Sequence, residues 1–325
     1  MFRWLCTTAL AATTAGFAAA PAHASEWEVG VSGFYHLGLA LSDGNNQSGV
    51  GVFRDGEFHF DGRLVTDQGL VFFATVEVEA QTDSEDQIDK NFGGVRTPYG
   101  SFKFGGDDTA IATFHNGIIE APGSQIGYYD AEFITTAADD MGALAGGEQA
   151  VGFHYDTPEF RGFQAGFSYL PNLGADGAAD SNSPVFESGE FLSIAAAYNG
   201  EIQGVGVGIS GGYADEDGPN NDVYNIGGYV SFSGFTLAGG YQDGAADYVD
   251  GASAGETFYV GAEYSTGPWT FAGGYSNNDF NDTDVAAAWV TYNLVPGLST
   301  TAGIEYGDDG TNEDIGGILY LSMFF

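Results

Sequence analysis

The sequence predicts an all-β chain, a 16-stranded antiparallel transmembrane β-barrel, and three observations predict it. Apolar and polar residues alternate with a period of two from one end of the chain to the other. The connections between alternating segments are short and long by turns. The chain is 43% hydrophobic and 15% aromatic, yet no segment after the leader holds the run of about 18 apolar residues that a membrane helix needs. Dispersed hydrophobicity of this kind suits strands with one face in lipid and the other in water.

The leader comes first. Arg3 supplies a positive charge, residues 4–20 are largely apolar, and Ala22-His23-Ala24 is a small-x-small cleavage pattern. Residues 1–24 therefore read as a signal peptide, with Ser25 the first mature residue and 25–325 the barrel. Thr7, Thr8, Thr13 and Thr14 interrupt the run and Pro21 ends it, which argues against a spanning helix. Cys6 lies inside the leader, so the mature chain has no disulfide or thiol chemistry.

The strands follow in order. Alternation starts in 26–41 and is clearest in 56–66, GEFHFDGRLVT. There Phe58, Phe60 and Leu64 share one face, and His59, Asp61 and Arg63 share the other. After the turn Asp67-Gln68-Gly69, segment 70–80 places Phe72, Ala74, Val76 and Val78 opposite Thr75, Glu77 and Glu79. Segments 89–97 and 101–107 pair across Pro98-Tyr99-Gly100, and a long insertion occupies about 108–148. Strands resume at 149–157, 162–170, 190–198, 202–214, 222–232, 235–242 and 256–265. The last four are 269–277, 283–294, 298–307 and 314–325.

The short connections are DQG, TPYG, PEFRG, YNGE, SGF, TGP and VPG. The longer ones, such as SDGNNQSG, QTDSEDQ, ADEDGPNN and GDDGTNE, are rich in Asp, Asn, Gly and Ser. Short inner turns and longer outer loops are what an outer-membrane barrel carries, and a soluble sandwich has no reason to sort its loops. Gly-Gly-Tyr recurs at 211–213, 227–229, 239–241 and 273–275. Its tyrosines suit an aromatic girdle, and its glycines relieve crowding where strands bend.

The final strand ends Ile-Leu-Tyr-Leu-Ser-Met-Phe-Phe, with Leu319, Leu321, Met323 and Phe325 on one face. Together with NFGGVRTPYGSFKFGG at 91–106 and EWEVGVSGFYHLGLAL at 26–41, this resembles the Gram-negative general porin family. The acidic, lysine-poor style is most like porins of Rhodobacter-type alphaproteobacteria. The resemblance implies an outer-membrane homotrimer whose third loop folds into each barrel. It also implies a water-filled diffusion channel for small hydrophilic solutes, with no catalysis and no required cofactor. The barrel-assembly machinery is expected to recognise the terminal Phe325.

Charge sharpens the expectation. The net formal charge is −38, with only seven Lys and Arg. Nucleic acid is excluded as a partner, because its binding needs a basic patch. A disordered acidic tail is excluded by 26 Phe and 18 Tyr. The resemblance implies basic residues on the wall opposite loop three, and alternation puts Arg63 and Lys103 on the lumen face. Among the acids of the long insertion, Glu120, Asp130 and Glu132 are the expected constriction residues, flanked by Tyr128, Tyr129 and Phe133. An acidic eyelet predicts cation selectivity. Acidic loops beside anionic lipopolysaccharide also call for bridging calcium, with Asp215, Asp217, Asp308 and Asp309 as candidate ligands.

Two other readings compete. His59/Asp61 and His154/Asp156 are the residues an enzyme on this barrel would use, but neighbours two apart on one strand point in parallel and do not form a dyad. A sugar-type, substrate-specific channel needs a row of lumenal aromatics, which the abundance of Phe and Tyr leaves open.

Overall fold

Alternating sequences of this kind close into a barrel because no edge is then left unpaired in lipid. The structure is a computed structural model that describes residues 27–44, 48–80, 88–121, 124–126, 150–172, 189–216, 222–244, 256–279, 282–308 and 310–325. The expected leader, 1–24, lies outside the described residues, as do Asp130, Glu132, Asp217 and Asp309.

The first wall segment comprises β1 (Glu28–Gly44), β2 (Ser48–Val65), β3 (Val71–Glu79), β4 (Ile88–Thr97) and β5 (Gly100–Gly106). A short helix α1 (Ala110–Thr113) and a small hairpin, β6 (Ile119–Ala121) with β7 (Ser124–Ile126), follow within loop three. The wall continues with β8 (Val151–Asp156), β9 (Phe163–Leu170), β10 (Phe191–Ile202), β11 (Val205–Glu216) and β12 (Asp222–Phe232). It ends with β13 (Phe235–Gly244), β14 (Thr257–Thr266), β15 (Trp269–Asn278), β16 (Thr283–Val295), β17 (Leu298–Asp308) and β18 (Glu313–Phe324). Every wall strand pairs antiparallel with its chain neighbours, except that β5 passes over the β6–β7 hairpin to pair with β8. Closure comes from β1, which pairs Leu37 with Arg54 of β2 on one side and with Leu321 of β18 on the other. The predicted 16-stranded barrel is thus observed.

The terminal strand shows the two faces clearly. Ile315, Leu319 and Phe325 are exposed on the outside, whereas Asp314, Ile318, Tyr320 and Ser322 are buried on the inside. An exposed aliphatic face is unfavourable in water and favourable against hydrocarbon, which is why Val29, Val31, Leu37 and Leu39 stay exposed on β1. Phe325 is tied down through its backbone, its N–H donating to Gly33 and its carbonyl accepting from Gly33.

Turn chemistry fixes the hairpins at the end of the wall that holds Glu28 and Phe325. Arg161-Gly162, Gln203-Gly204 and Ser233-Gly234 each carry positive φ at both residues, 53° and 87°, 53° and 83°, 50° and 85°. That pair of conformations matches the twist of two-residue hairpins, and glycine in second place lowers its cost.

Three expectations need adjustment. The loop read from SDGNNQSG is largely strand, since β1 reaches Gly44 and β2 restarts at Ser48. The turn assigned to YNGE lies further on, at Gln203-Gly204, because Tyr198–Ile202 continue the ladder against Val205–Ile209. Of the four Gly-Gly-Tyr tyrosines, Tyr213, Tyr241 and Tyr275 point outward, but Tyr229 points into the lumen. The outward ones meet carboxylates near the loop end of the wall. Tyr213 donates to Asp222 at 2.8 Å, Tyr275 donates to Asp284, and Tyr224 donates in the same way to Asp243. A ring in lipid and a hydroxyl held at a charged rim is the girdle geometry.

Candidate pore constriction

Loop three enters the lumen from the end of β5, where Asp107 and Asp108 follow two glycines. Lys103 Nζ lies 2.5 Å from Asp107 and 3.3 Å from Asp156, and Lys90 Nζ lies 3.1 Å from Asp108 and 3.6 Å from Glu77. Both lysines come from the wall, both are largely buried, and together they fix the root of the loop. Charge-assisted bonds in such a setting are stronger than neutral ones.

From that root the described part of the loop runs along the inside of β9 to β16, and several of its backbone groups find a wall donor or acceptor. Ala110 N–H donates to Ser168 Oγ at 2.8 Å, and Asn116 N–H donates to Ser210 Oγ at 2.7 Å. Asn225 Nδ2 donates to the Ile111 carbonyl at 3.5 Å. The Tyr259 hydroxyl donates to the Asn116 carbonyl at 3.2 Å, so its oxygen accepts from His115 Nε2 at 2.7 Å. Ser168 serves twice, because its hydroxyl hydrogen goes to His154 Nδ1 at 2.9 Å. That leaves His154 Nε2–H to donate to the Gly105 carbonyl at 3.3 Å.

Apolar contacts complete the seat. Ile111 is fully buried, joined by Leu170, Phe191, Ala214 and Val223 of the wall. Phe114 packs with Ala195 and Ala197, and Ile119 packs with Ala238 and Trp289. Each fully buried Ile, Leu, Val or Phe among these contributes about 1.5–3 kcal/mol, and each alanine less.

The wall makes room for the loop by omitting side chains. A Cβ on Gly212 would lie 2.6 Å from Ile111 Cγ1, and one on Gly227 would strike the Asn116 carbonyl and come within 2.7 Å of the His115 ring. Gly117 answers from the loop side. Its φ is 107°, and a Cβ there would sit 2.7 Å from the Gly228 nitrogen. Glycines of two Gly-Gly-Tyr repeats therefore form a seat for loop three. The recurrence of the motif was the sequence signal, and only register could reveal this use of it.

The predicted residues fall as follows. Arg63 and Lys103 face the lumen. Glu120 lies in β6 opposite Gln125, with its side chain outside the described residues, and Asp130 and Glu132 lie wholly outside them. Asp215 and Asp308 face outward at the loop ends of β11 and β17, and Asp308 accepts from Gly310 N–H at 2.9 Å. Their expected partners Asp217 and Asp309 are outside the described residues.

Two further cations, to which alternation gave no face, are lumenal. Lys90 is one, and Arg96 is the other, its guanidinium 5.7 Å from the Phe73 ring centre. The wall that the resemblance makes basic is interleaved with carboxylates, since Glu57, Asp61, Glu77 and Asp156 stand on the same lumen face. As their spacing on one strand implies, His59/Asp61 and His154/Asp156 are not hydrogen-bonded pairs. Asp61 accepts from Thr75 Oγ1 at 2.8 Å, and His154 serves the loop seat.

A closed 16-stranded barrel with the described start of loop three packed against the inside of its wall is the architecture of a channel. The sequence profile of the Gram-negative porins matches residues 7–312, so the chain belongs to the Gram-negative porin family and is an outer-membrane channel protein. No curated protein sequence matches the chain. Among solved structures it is similar to an engineered tryptophan variant of the porin of Rh. blastica, at 16% identity and a TM-score of 0.67 over 92% of this chain and 100% of that one. A variant of the same porin with several charged residues changed to alanine matches at 17% identity and a TM-score of 0.65, with the same coverage. At these identities the likeness carries the fold.

Proposed function

We propose that the chain is a trimeric, cation-selective diffusion porin through which small hydrophilic solutes and ions pass down their gradients. The observation that carries the selectivity is the pairing of Lys90 and Lys103, each shared between two carboxylates. Their positive charge is neutralised inside the wall, and the acids beside them leave the described lumen net negative. Two unit charges 4 Å apart interact by about 1 kcal/mol in water and about 4 at an effective dielectric of about 20. A constriction with excess carboxylates therefore concentrates cations over anions.

The trimer rests on family membership and on the outer face. Tyrosine–carboxylate pairs occupy the loop ends of β11 to β16, whereas β1 and β2 present Leu39, Leu41, Val50 and Val52 there. An aliphatic face without an aromatic rim suits contact with another subunit. The same reading includes export by the cleaved leader, assembly through Phe325 and calcium bridging outer-loop acids such as Asp215 and Asp308 to lipopolysaccharide. The sugar-type alternative is weaker, because the lumenal rings of Phe73 and Phe92 are covered by Arg96 and Lys103 at 5.7 Å. Recording from the refolded protein in a planar bilayer tests the reading. Stepwise conductance arriving in threes supports it, and a folded barrel that conducts nothing overturns it.

A further inference from the structure

We propose that Glu57, His59 and Glu77 form a binding site for a first-row divalent transition-metal ion, of the Zn²⁺ class, on the lumenal wall. The ladder between β2 and β3 sets His59 directly opposite Glu77, and Glu57 stands two residues away on the same strand face. One donor atom from each residue lies within 4.8 Å of the other two. The imidazole is gripped from both sides, Nε2 in contact with Glu57 and Nδ1 3.9 Å from Glu77 Oε1. Donor atoms around a tetrahedral ion with bonds of about 2.1 Å lie about 3.4 Å apart, so small rotamer adjustments close the set.

The surroundings argue for a cation. Glu57 faces Glu79 across the ladder, and Asp61 follows His59 on the lumen face. Like charges directly opposite are destabilising, and acids outnumber bases around this single imidazole. Lys90 balances one of them, but it approaches Glu77 through Oε2, which leaves Oε1 toward His59, and it holds Asp108 as well. A metal on Glu77 Oε1 would not strip Lys90 of its partners. The three side chains remain 14–19% exposed, so lumen water can complete the coordination. Imidazole decides the class of ion. Nitrogen with carboxylates suits zinc, iron, nickel or copper, whereas calcium takes oxygen ligands. This site is distinct from the outer-loop calcium candidates, and its binding test does not depend on the channel conducting.

The test is calorimetric titration of metal-free, detergent-folded protein with Zn²⁺, paired with visible absorption on adding Co²⁺. One Zn²⁺ per chain is expected, with His59→Gln and Glu77→Gln each weakening binding about tenfold or more. Glu201→Gln, at an exposed position of β10, should leave the affinity unchanged, excess Ca²⁺ should not displace Zn²⁺, and the Co²⁺ band should vanish in His59→Gln. Heat-modifiable gel mobility confirms folding, and Glu77→Gln carries the test if the His59 variant misfolds. Undiminished Zn²⁺ affinity in folded His59→Gln or Glu77→Gln, displacement by Ca²⁺, or no Zn²⁺ binding by the unsubstituted protein would each overturn the proposal.

Discussion

Lys103 on β5 holds Asp107, at the root of loop three, across 2.5 Å in a setting where both residues are less than one-tenth exposed. This contact couples the wall to the start of loop three, which then runs on to the helix Ala110–Thr113. Removing one partner of a buried ion pair leaves an uncompensated charge and costs about 3–5 kcal/mol. Lys103→Met should therefore lower thermal stability markedly and broaden the open-channel current noise. Lys103→Met combined with Asp107→Asn should recover much of the loss, as a melting series of single and double variants would show.

The glycine seat gives a steric prediction. Gly227→Val would push a side chain into the Asn116 carbonyl and the His115 ring. Loop three must then shift off the wall, and the unitary conductance and the cutoff for neutral solutes should both change. Gly30→Val should leave both unaltered, because nothing lies within 4 Å of the place a Cβ would take there. Liposome swelling with sugars of graded size checks the pair.

Tyr259→Phe removes one hydroxyl that serves both His115 and Asn116. Stranding two buried partners costs about 1–3 kcal/mol each. The expected outcome is a folded barrel with more frequent brief current interruptions and a fall of several degrees in melting temperature. His115→Ala should resemble it, and the double variant should add little, because both changes break one network.

Tyr275→Phe tests the outer rim. The ring stays in lipid while the hydroxyl that reaches Asp284 is lost. A stability loss of about 1 kcal/mol with unchanged selectivity is expected, measured by unfolding in lipid vesicles.

Much of this was legible in the residues. The strict alternation in 56–66 and 70–80 placed Phe58, Phe60, Phe72 and Val76 on the lipid face and His59, Asp61, Glu77 and Glu79 on the lumen face, as the ladder between β2 and β3 has them. Lys90 and Arg96 escaped because β4 blurs its faces. Its lumen side also carries Phe92, and its lipid side includes Asn91, Gly93 and Thr97. Face assignment from polarity fails where both faces mix. The irregularity between Glu77 and Val78 further disturbs the count of two there. Tyr229 misled for a related reason. A motif read along one strand cannot tell which way its third residue points, and Gly227-Gly228-Tyr229 begins on an inward position where Gly239-Gly240-Tyr241 begins on an outward one. Partners across strands, such as Ser168 with both His154 and Ala110, require register that no single segment encodes.

Cation selectivity requires that the lumen be net acidic despite its lysines, and the reversal potential of single channels under a salt gradient tests this most directly. The expected potential has the sign set by cation flow, and it shrinks as salt rises and the Debye length falls from about 10 Å at 0.1 M to about 3 Å at 1 M. A potential near zero at low salt, or one of the sign set by anion flow, would contradict it.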